Sequence, residues 1–211
     1  GLQGQKCSAT SRVFVEKSVY DEFVSKLVEN TKAIKIGDST QRENWFGPVI
    51  NRKAYQDYAG YVAELAASGR ILTGGTHLTD GELANGYFCA PTVVADVPLE
   101  HRLWKEEIFL PIVMVSPVDD LNQAMALAND VDYGLTAGFM GAPAEAEWFF
   151  DHIEAGTVYS NRPQGTTTGA WPGFQSFGGW KGSGSTGKNS GGYYYLPLYM
   201  HEQSRTRVKR A

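Results

Sequence analysis

Ile112-Val113-Met114-Val115, Leu121 to Asn129, Ala137-Gly138-Phe139, Ala144 to Ile153 and Thr157-Val158-Tyr159 follow one another with only short polar breaks between them. The first, third and fifth runs are short and carry β-branched or aromatic side chains, as strands do. The second and fourth repeat their apolar residues three and four apart, as one face of a helix requires. Strand and helix therefore alternate. That pattern predicts a parallel sheet, because a parallel neighbour is reached through a crossover connection.

Toward the N-terminus the same texture continues. Val13-Phe14-Val15 reads as a strand, and Tyr20, Phe23, Val24, Leu27 and Val28 share one helical face. Asn51 is placed to cap a second helix, with Tyr55, Tyr58, Ala59, Val62, Leu65 and Ala66 inward and Gly69 at its end. Ile71-Leu72 is a short strand stopped by Gly74-Gly75, Thr76 to Gly86 is polar loop, and Tyr87 to Cys89 and Val93-Val94 are extended pieces around Pro91. Asn161 to Gly192 is dominated by Gly, Ser and Thr and reads as one long loop, a length that usually signals function. Tyr193 to Val208 returns to extended chemistry. The expected architecture is α/β, a doubly wound, mostly parallel sheet over residues 1–192, with a tail over 193–211.

Composition bounds what such a domain can do. The 211 residues are 42% hydrophobic, with 19 basic and 23 acidic side chains and a net charge of −4. A nucleic acid or an anionic membrane needs a concentrated positive field, and here the cations are scattered until Arg205, Arg207, Lys209 and Arg210, which read as a solvated chain end. No window approaches the apolar length of a membrane span, and the N-terminus lacks a signal-peptide pattern. Cys7 and Cys89 are too few for a disulfide framework, and His77, His101, His152 and His201 are not spaced as metal ligands. The expectation is a cytoplasmic, reducing location with no metal. The chain begins at Gly1 without methionine, as a fragment or processed product would.

Three groups of residues invite a chemical reading. Cys7 sits among small and polar neighbours in Gly4-Gln5-Lys6-Cys7-Ser8-Ala9, a setting that leaves a thiolate accessible as a nucleophile; taken alone, such a residue is more often an inert half-exposed thiol. Cys89, between Phe88 and Ala90, has the setting of a core residue. Gly182 to Gly187 satisfies a dinucleotide glycine pattern, and Gly182 to Lys188 nearly satisfies a phosphate loop. Neither leaves a hydrophobic strand or opens a helix, as phosphate binding there requires. Glu106-Glu107-Ile108-Phe109 offers paired carboxylates that by spacing alone suit a solvated helical end.

Taken in order, these pieces resemble the aldehyde dehydrogenase superfamily across essentially the whole chain. Gly4 to Ala9 is similar to its catalytic cysteine motif. Gly47-Pro48-Val49-Ile50, Ile71 to Gly75, and Gly86-Tyr87-Phe88 with Ala90 to Val93 are similar to structural waypoints of the family. The resemblance implies that Cys7 attacks an aldehyde carbon, that Glu107 holds the nicotinamide ribose of NAD or NADP, and that Phe109 flanks the nicotinamide. At Leu110 most relatives carry glycine, so a positive φ at that position would be strained.

Thr168-Gly169-Ala170, Gln175 to Gly179 and Lys181 to Gly184 resemble the 1-pyrroline-5-carboxylate dehydrogenase branch, which oxidises L-glutamate γ-semialdehyde. The resemblance implies that Gly169 and Ala170 donate backbone N–H groups to the substrate α-carboxylate, that Ser8 adds its hydroxyl, and that Phe177 packs on the aliphatic part. Consecutive amides at a small-residue turn do form an anion-binding concavity. Trp171-Pro172 adds unusual bulk there. The fold implied is the Rossmann-like catalytic domain with a C-terminal oligomerisation strand, best matched by Met200 to Val208, in a homo-oligomer acting on a small aldehyde. In the resembled family the dinucleotide-binding domain and the deacylating glutamate precede the cysteine, so the chain by itself is expected not to turn over. The competing readings are a phosphate-loop nucleotide binder and a non-catalytic assembly module.

Overall fold

The computed structural model describes residues 2–163, 175–184 and 190–209. β1 (Arg12–Glu16), β2 (Arg70–Thr73), β3 (Thr92–Ala95) and β4 (Ile112–Val118) form one sheet in the order β1-β4-β3-β2. β1 and β3 both run parallel to β4, and β2 lies antiparallel at the edge. β3, Thr-Val-Val-Ala, is buried along its whole length, because a helix covers each face. α1 (Lys17–Lys32) lays Tyr20, Val24 and Leu27 over Val15, Val93, Ala95 and Val115. On the other face α2 (Arg52–Ser68) packs Tyr58 and Leu65 against Val94, Ile112 and Met114. The sheet is doubly wound, as the alternation of elements predicts.

Local chemistry sets the element ends. The Asn51 side chain accepts from the Ala54 N–H at 2.9 Å and starts α2, and Gly69 closes it. Asp120 does the same for α3 (Leu121–Asn129) by accepting from Gln123 N–H at 2.8 Å. α4 (Pro143–His152) opens with proline in its first turn, and the Glu145 carboxylate accepts from the Ala142 N–H. α3 and α4 bury Met125, Phe149 and Ile153 in a separate cluster against the parallel pair β6 (Thr136–Phe139) and β7 (Thr157–Ser160).

One expectation changes. The long loop from Asn161 to Gly192 contains pairing: β8 (Trp180–Lys181) runs antiparallel to β5 (Tyr133–Gly134), and Phe177 bridges Ser190. Glycine allows backbones to meet so closely; a Cβ on Gly184 would lie 2.0 Å from the Gly179 oxygen. The tail forms no strand among its described residues. Leu196–Tyr199 is a 3₁₀ turn with Pro197 early in it, and residues 201–209 lie outside any sheet. Edge pairing needs a partner strand, and among the described residues no strand of this chain pairs with the tail.

The largest core contains one polar knot. Tyr58 OH donates to the Ala90 oxygen at 2.8 Å and lies 2.7 Å from Thr92 Oγ1, which also accepts from Gly75 N–H. Burial pushes the Tyr58 hydroxyl up to about 12 and the Cys89 thiol, which has no exposed surface, likewise to about 12.

Leu65→Ala is expected to lower the unfolding free energy by about 2–5 kcal/mol, through lost burial plus a cavity. Tyr58→Phe should cost only about 1 kcal/mol, since the ring stays packed. Urea denaturation of both variants checks the ranking, and a costlier Tyr58→Phe would contradict it. The unfolded thiol ionises near 9 while the folded Cys89 keeps its proton to about 12. The unfolded state thus binds fewer protons in that window, so stability falls as pH rises through it. Cys89→Ala should flatten this decline by about 1.4 kcal/mol per pH unit at most, measured by denaturation between pH 9 and 11.

Candidate active site around Cys7

Cys7 stands on a turn closed by the Ala9 N–H donating to the Lys6 oxygen at 2.9 Å, directly before β1. Cys7 is exposed, while Ser8 beside it is buried at 3%. Two contacts place this turn. The Ile50 N–H donates to Gln5 Oε1 at 3.0 Å, which ties it to the stretch leading into α2. Gly4, at φ +70°, lies against Leu110: a Cβ there would fall 2.2 Å from the Leu110 oxygen. Only glycine fits both that dihedral and that approach.

Glu107 and Phe109 arrive at the same end of the molecule because β1 and β4 are parallel and in register, Arg12 opposite Met114. The chain before each strand therefore emerges from one edge of the sheet. The strained residue is Phe109, at φ +57°, and not Leu110, which has no positive φ and is buried in the largest core. The expectation for Leu110 is thereby corrected: the leucine costs nothing in backbone strain and fills a core position. Strain at an exposed phenylalanine, of about 1–3 kcal/mol for a residue of this kind, is a mark of functional segments.

The two glutamates differ. Glu106 is ion-paired with Arg102, whose guanidinium also holds Glu64 of α2 through Nε at 2.9 Å and Nη2 at 2.5 Å. Glu107 is exposed and makes no hydrogen bond or ion pair with the described residues. A free carboxylate beside an exposed, fixed aromatic ring can accept from a diol and cover a flat heterocycle. The Arg102–Glu64 clamp was not legible in the sequence, since its partners lie on different elements.

Phe177 is held elsewhere, by its N–H to the Ser190 oxygen at 2.8 Å and by Thr157 Oγ1 donating to the Gly178 oxygen at 3.3 Å, at the start of β7. Gly169, Ala170 and the Trp171-Pro172 pair lie outside the described residues. The N–H groups of Gly182 and Ser183 are engaged, to Asp132 and Trp180 oxygens, and Ser183 Oγ accepts from Gly134. Those donors are unavailable to a phosphate, and residues 185–189 of that pattern lie outside the described residues. Among the described residues no group of three or more His, Cys, Asp and Glu could hold a metal ion, and no helix is long and apolar enough to cross a membrane.

Residues 1–204 match the family model described as the aldehyde dehydrogenase family. The chain belongs to the aldehyde dehydrogenase family. It is 39% identical over 205 residues to 1-pyrroline-5-carboxylate dehydrogenase 1 of Halalkalibacterium halodurans, covering 97% of this chain and 38% of that protein. It is 37% identical over 207 residues to the 1-pyrroline-5-carboxylate dehydrogenase of Bacillus subtilis, covering 98% of this chain and 38% of that one. Among solved structures, a Thermus 1-pyrroline-5-carboxylate dehydrogenase with bound NAD superposes with a TM-score of 0.84 at 34% identity, over 94% of this chain and 37% of that chain. A betaine aldehyde dehydrogenase variant of Staphylococcus aureus gives 0.83 at 30% identity, over 93% and 39%. The chain thus spans somewhat over a third of the length of the relatives it matches, and it shares the fold of the part it covers.

Iodoacetamide is expected to modify Cys7 at least about a hundredfold faster than Cys89 in the folded chain, since alkylation needs an accessible thiolate. Peptide mass mapping over a time course checks this. Comparable rates for the two thiols would remove the structural case for Cys7 as a nucleophile.

Proposed function

We propose that this chain is the catalytic part of an NAD(P)-dependent aldehyde dehydrogenase that oxidises L-glutamate γ-semialdehyde, the open form of 1-pyrroline-5-carboxylate, to L-glutamate. The observation that carries the reading is the convergence of an exposed cysteine, a free glutamate and a strained, exposed phenylalanine at one edge of the β1–β4 pair. The likeness to 1-pyrroline-5-carboxylate dehydrogenases over nearly the whole chain supports the substrate.

In this reading the Cys7 thiolate forms a C–S bond to the aldehyde carbon, and the carbonyl oxygen takes up negative charge as a thiohemiacetal. Ser8, the residue after Cys7, would turn its hydroxyl to the substrate α-carboxylate, with Gly169 and Ala170 completing that anchor through their N–H groups. Phe177 bounds the aliphatic chain. Glu107 would hold the ribose hydroxyls and Phe109 the face of the nicotinamide, and the free carboxylate and exposed ring fit both tasks. The cofactor, when bound, supplies the acceptor for the two electrons lost as thiohemiacetal becomes thioester. Water then cleaves the thioester, releasing glutamate and the Cys7 thiol.

The same reading makes the protein a cytoplasmic homo-oligomer. The tail supports association: Tyr193 is 87% exposed, Leu196 70% and Met200 69%, an apolar run that water penalises unless something covers it. Two unpaired thiols suit a reducing compartment.

The test combines the chain with a dinucleotide-binding portion from a 1-pyrroline-5-carboxylate dehydrogenase and follows NADH absorbance. Glutamate semialdehyde should be oxidised in preference to propanal and betaine aldehyde. Cys7→Ala should remove at least about a thousandfold of the rate. Glu107→Gln should raise the KM for NAD by about tenfold, as the loss of a charge-assisted hydrogen bond does. Faster turnover of betaine aldehyde would shift the substrate assignment, and turnover that survives Cys7→Ala would end the covalent reading.

A further inference from the structure

The C-terminal end of α3 carries two cations on its main-chain oxygens. Arg12 donates through Nη1 to the Leu127 oxygen and through Nη2 to the Ala128 oxygen, each at 3.2 Å. Lys181 Nζ donates to the Asn129 oxygen at 2.6 Å and the Val131 oxygen at 3.2 Å, and is paired with Glu154. Carbonyls in the last turn of a helix have no intrahelical partner and bear the negative end of its dipole, so both cations stand where the field favours them. The two come from functional stretches. Arg12 opens the strand that follows the Cys7 turn, and Lys181 ends β8, four residues after Phe177.

Lys181 is held differently from an ordinary surface lysine. Its side chain is 24% exposed, and it lines an open cleft of about 640 Å³ with Lys105, Asp130 and Asp132. Its backbone is left-handed, at φ 52°, a conformation that a residue with a Cβ adopts at a cost. The main-chain bonds around it are the β8 pairing to Tyr133–Gly134, the Gly182 N–H to the Asp132 oxygen at 2.8 Å, the Ser183 N–H to the Trp180 oxygen at 3.0 Å and the Gly184 N–H to the Lys181 oxygen at 3.3 Å. The ammonium adds a side-chain anchor with three acceptors to a glycine-rich segment whose other ties are mostly main-chain bonds.

We propose that Lys181 is a positioning residue for the substrate side of the site: seated on the oxygens of Asn129 and Val131 and on Glu154, it ties the Phe177–Gly182 segment to the same helix end that Arg12 holds behind Cys7, and so sets where Phe177 stands relative to the nucleophile. The proposal rests on the roles given to Phe177 and Cys7 above.

Hydrogen exchange on the 211-residue chain reads the tie without catalysis. Lys181→Met should speed exchange of the Phe177 and Gly182 amides by about tenfold or more, with the β4 amides of residues 112–118 unchanged. Lys181→Arg should restore most of the protection. Glu154→Gln, which keeps both carbonyl contacts, should move the same amides in the same direction by less, and serves if Lys181→Met does not fold. In the reconstituted assay Lys181→Met should raise the KM for the aldehyde by about tenfold while kcat and the KM for NAD stay within about twofold, and arginine should recover it. A purely structural lysine would reduce the amount of active enzyme and leave both KM values alone. Unchanged exchange at Phe177 and Gly182 in both variants overturns the proposal, as do equal rises in the two KM values. Should the reconstituted wild type oxidise no aldehyde, the functional reading falls on that result, and the exchange data alone still decide whether Lys181 holds the segment.

Discussion

The parallel pairing of β1 with β4 is the constraint on which the rest of the site depends. Arg12 lies opposite Met114 and Glu16 opposite Val118, so the two strands point the same way and whatever precedes them emerges at one edge. The cysteine turn precedes one and the Glu107–Phe109 stretch precedes the other. Burial sets the register. Val15 and Val115 face α1, and Met114 faces α2, so a slip by one residue would turn each of these side chains toward the wrong helix.

Within that frame the close positions are settled by sterics. Gly4 rests on the Leu110 carbonyl, and Leu110 is locked in the core beside Trp104, Ile108 and Ile112. Core packing thereby reaches the backbone three residues before Cys7 in two steps. The positive φ in this stretch is carried one residue before Leu110, by the exposed Phe109. A leucine can follow it because its own dihedral is ordinary.

Electrostatics joins the second half of the chain to the first. Burial lowers the Arg12 guanidinium pKa, with Asp130 acting against that shift, and the Lys105 ammonium holds the Asp130 carboxyl below its usual range. Arg12, Lys105 and Lys181 come from three separate segments, and all three converge on the last turn of α3 or the residue after it. A helix terminus with unpaired carbonyls is a natural meeting point for such side chains.

Much of this was legible before any coordinates. α1 to α4 lie where three-and-four spacing, Asn51 and Gly69 place them, and β1, β3, β4, β6 and β7 lie where short β-branched and aromatic runs place them. The cysteine motif and the Glu-Glu-Ile-Phe motif pointed to the family. The β5–β8 pairing, the 3₁₀ turn at Leu196–Tyr199 and the Lys181 anchor were not legible. Glycine-rich backbone carries no periodic signal, and a lysine bound to main-chain oxygens far along the chain looks like any other lysine. Local order depends on side-chain spacing, cap residues and turn chemistry, which are written consecutively, so the sequence by itself determined the elements and which of the two thiols stands exposed. Strand register, the seat of Gly4 on Leu110 and the cluster of cations at α3 depend on which surfaces meet across long loops. Only the tertiary structure decided those, because burial and charge pairing act through space.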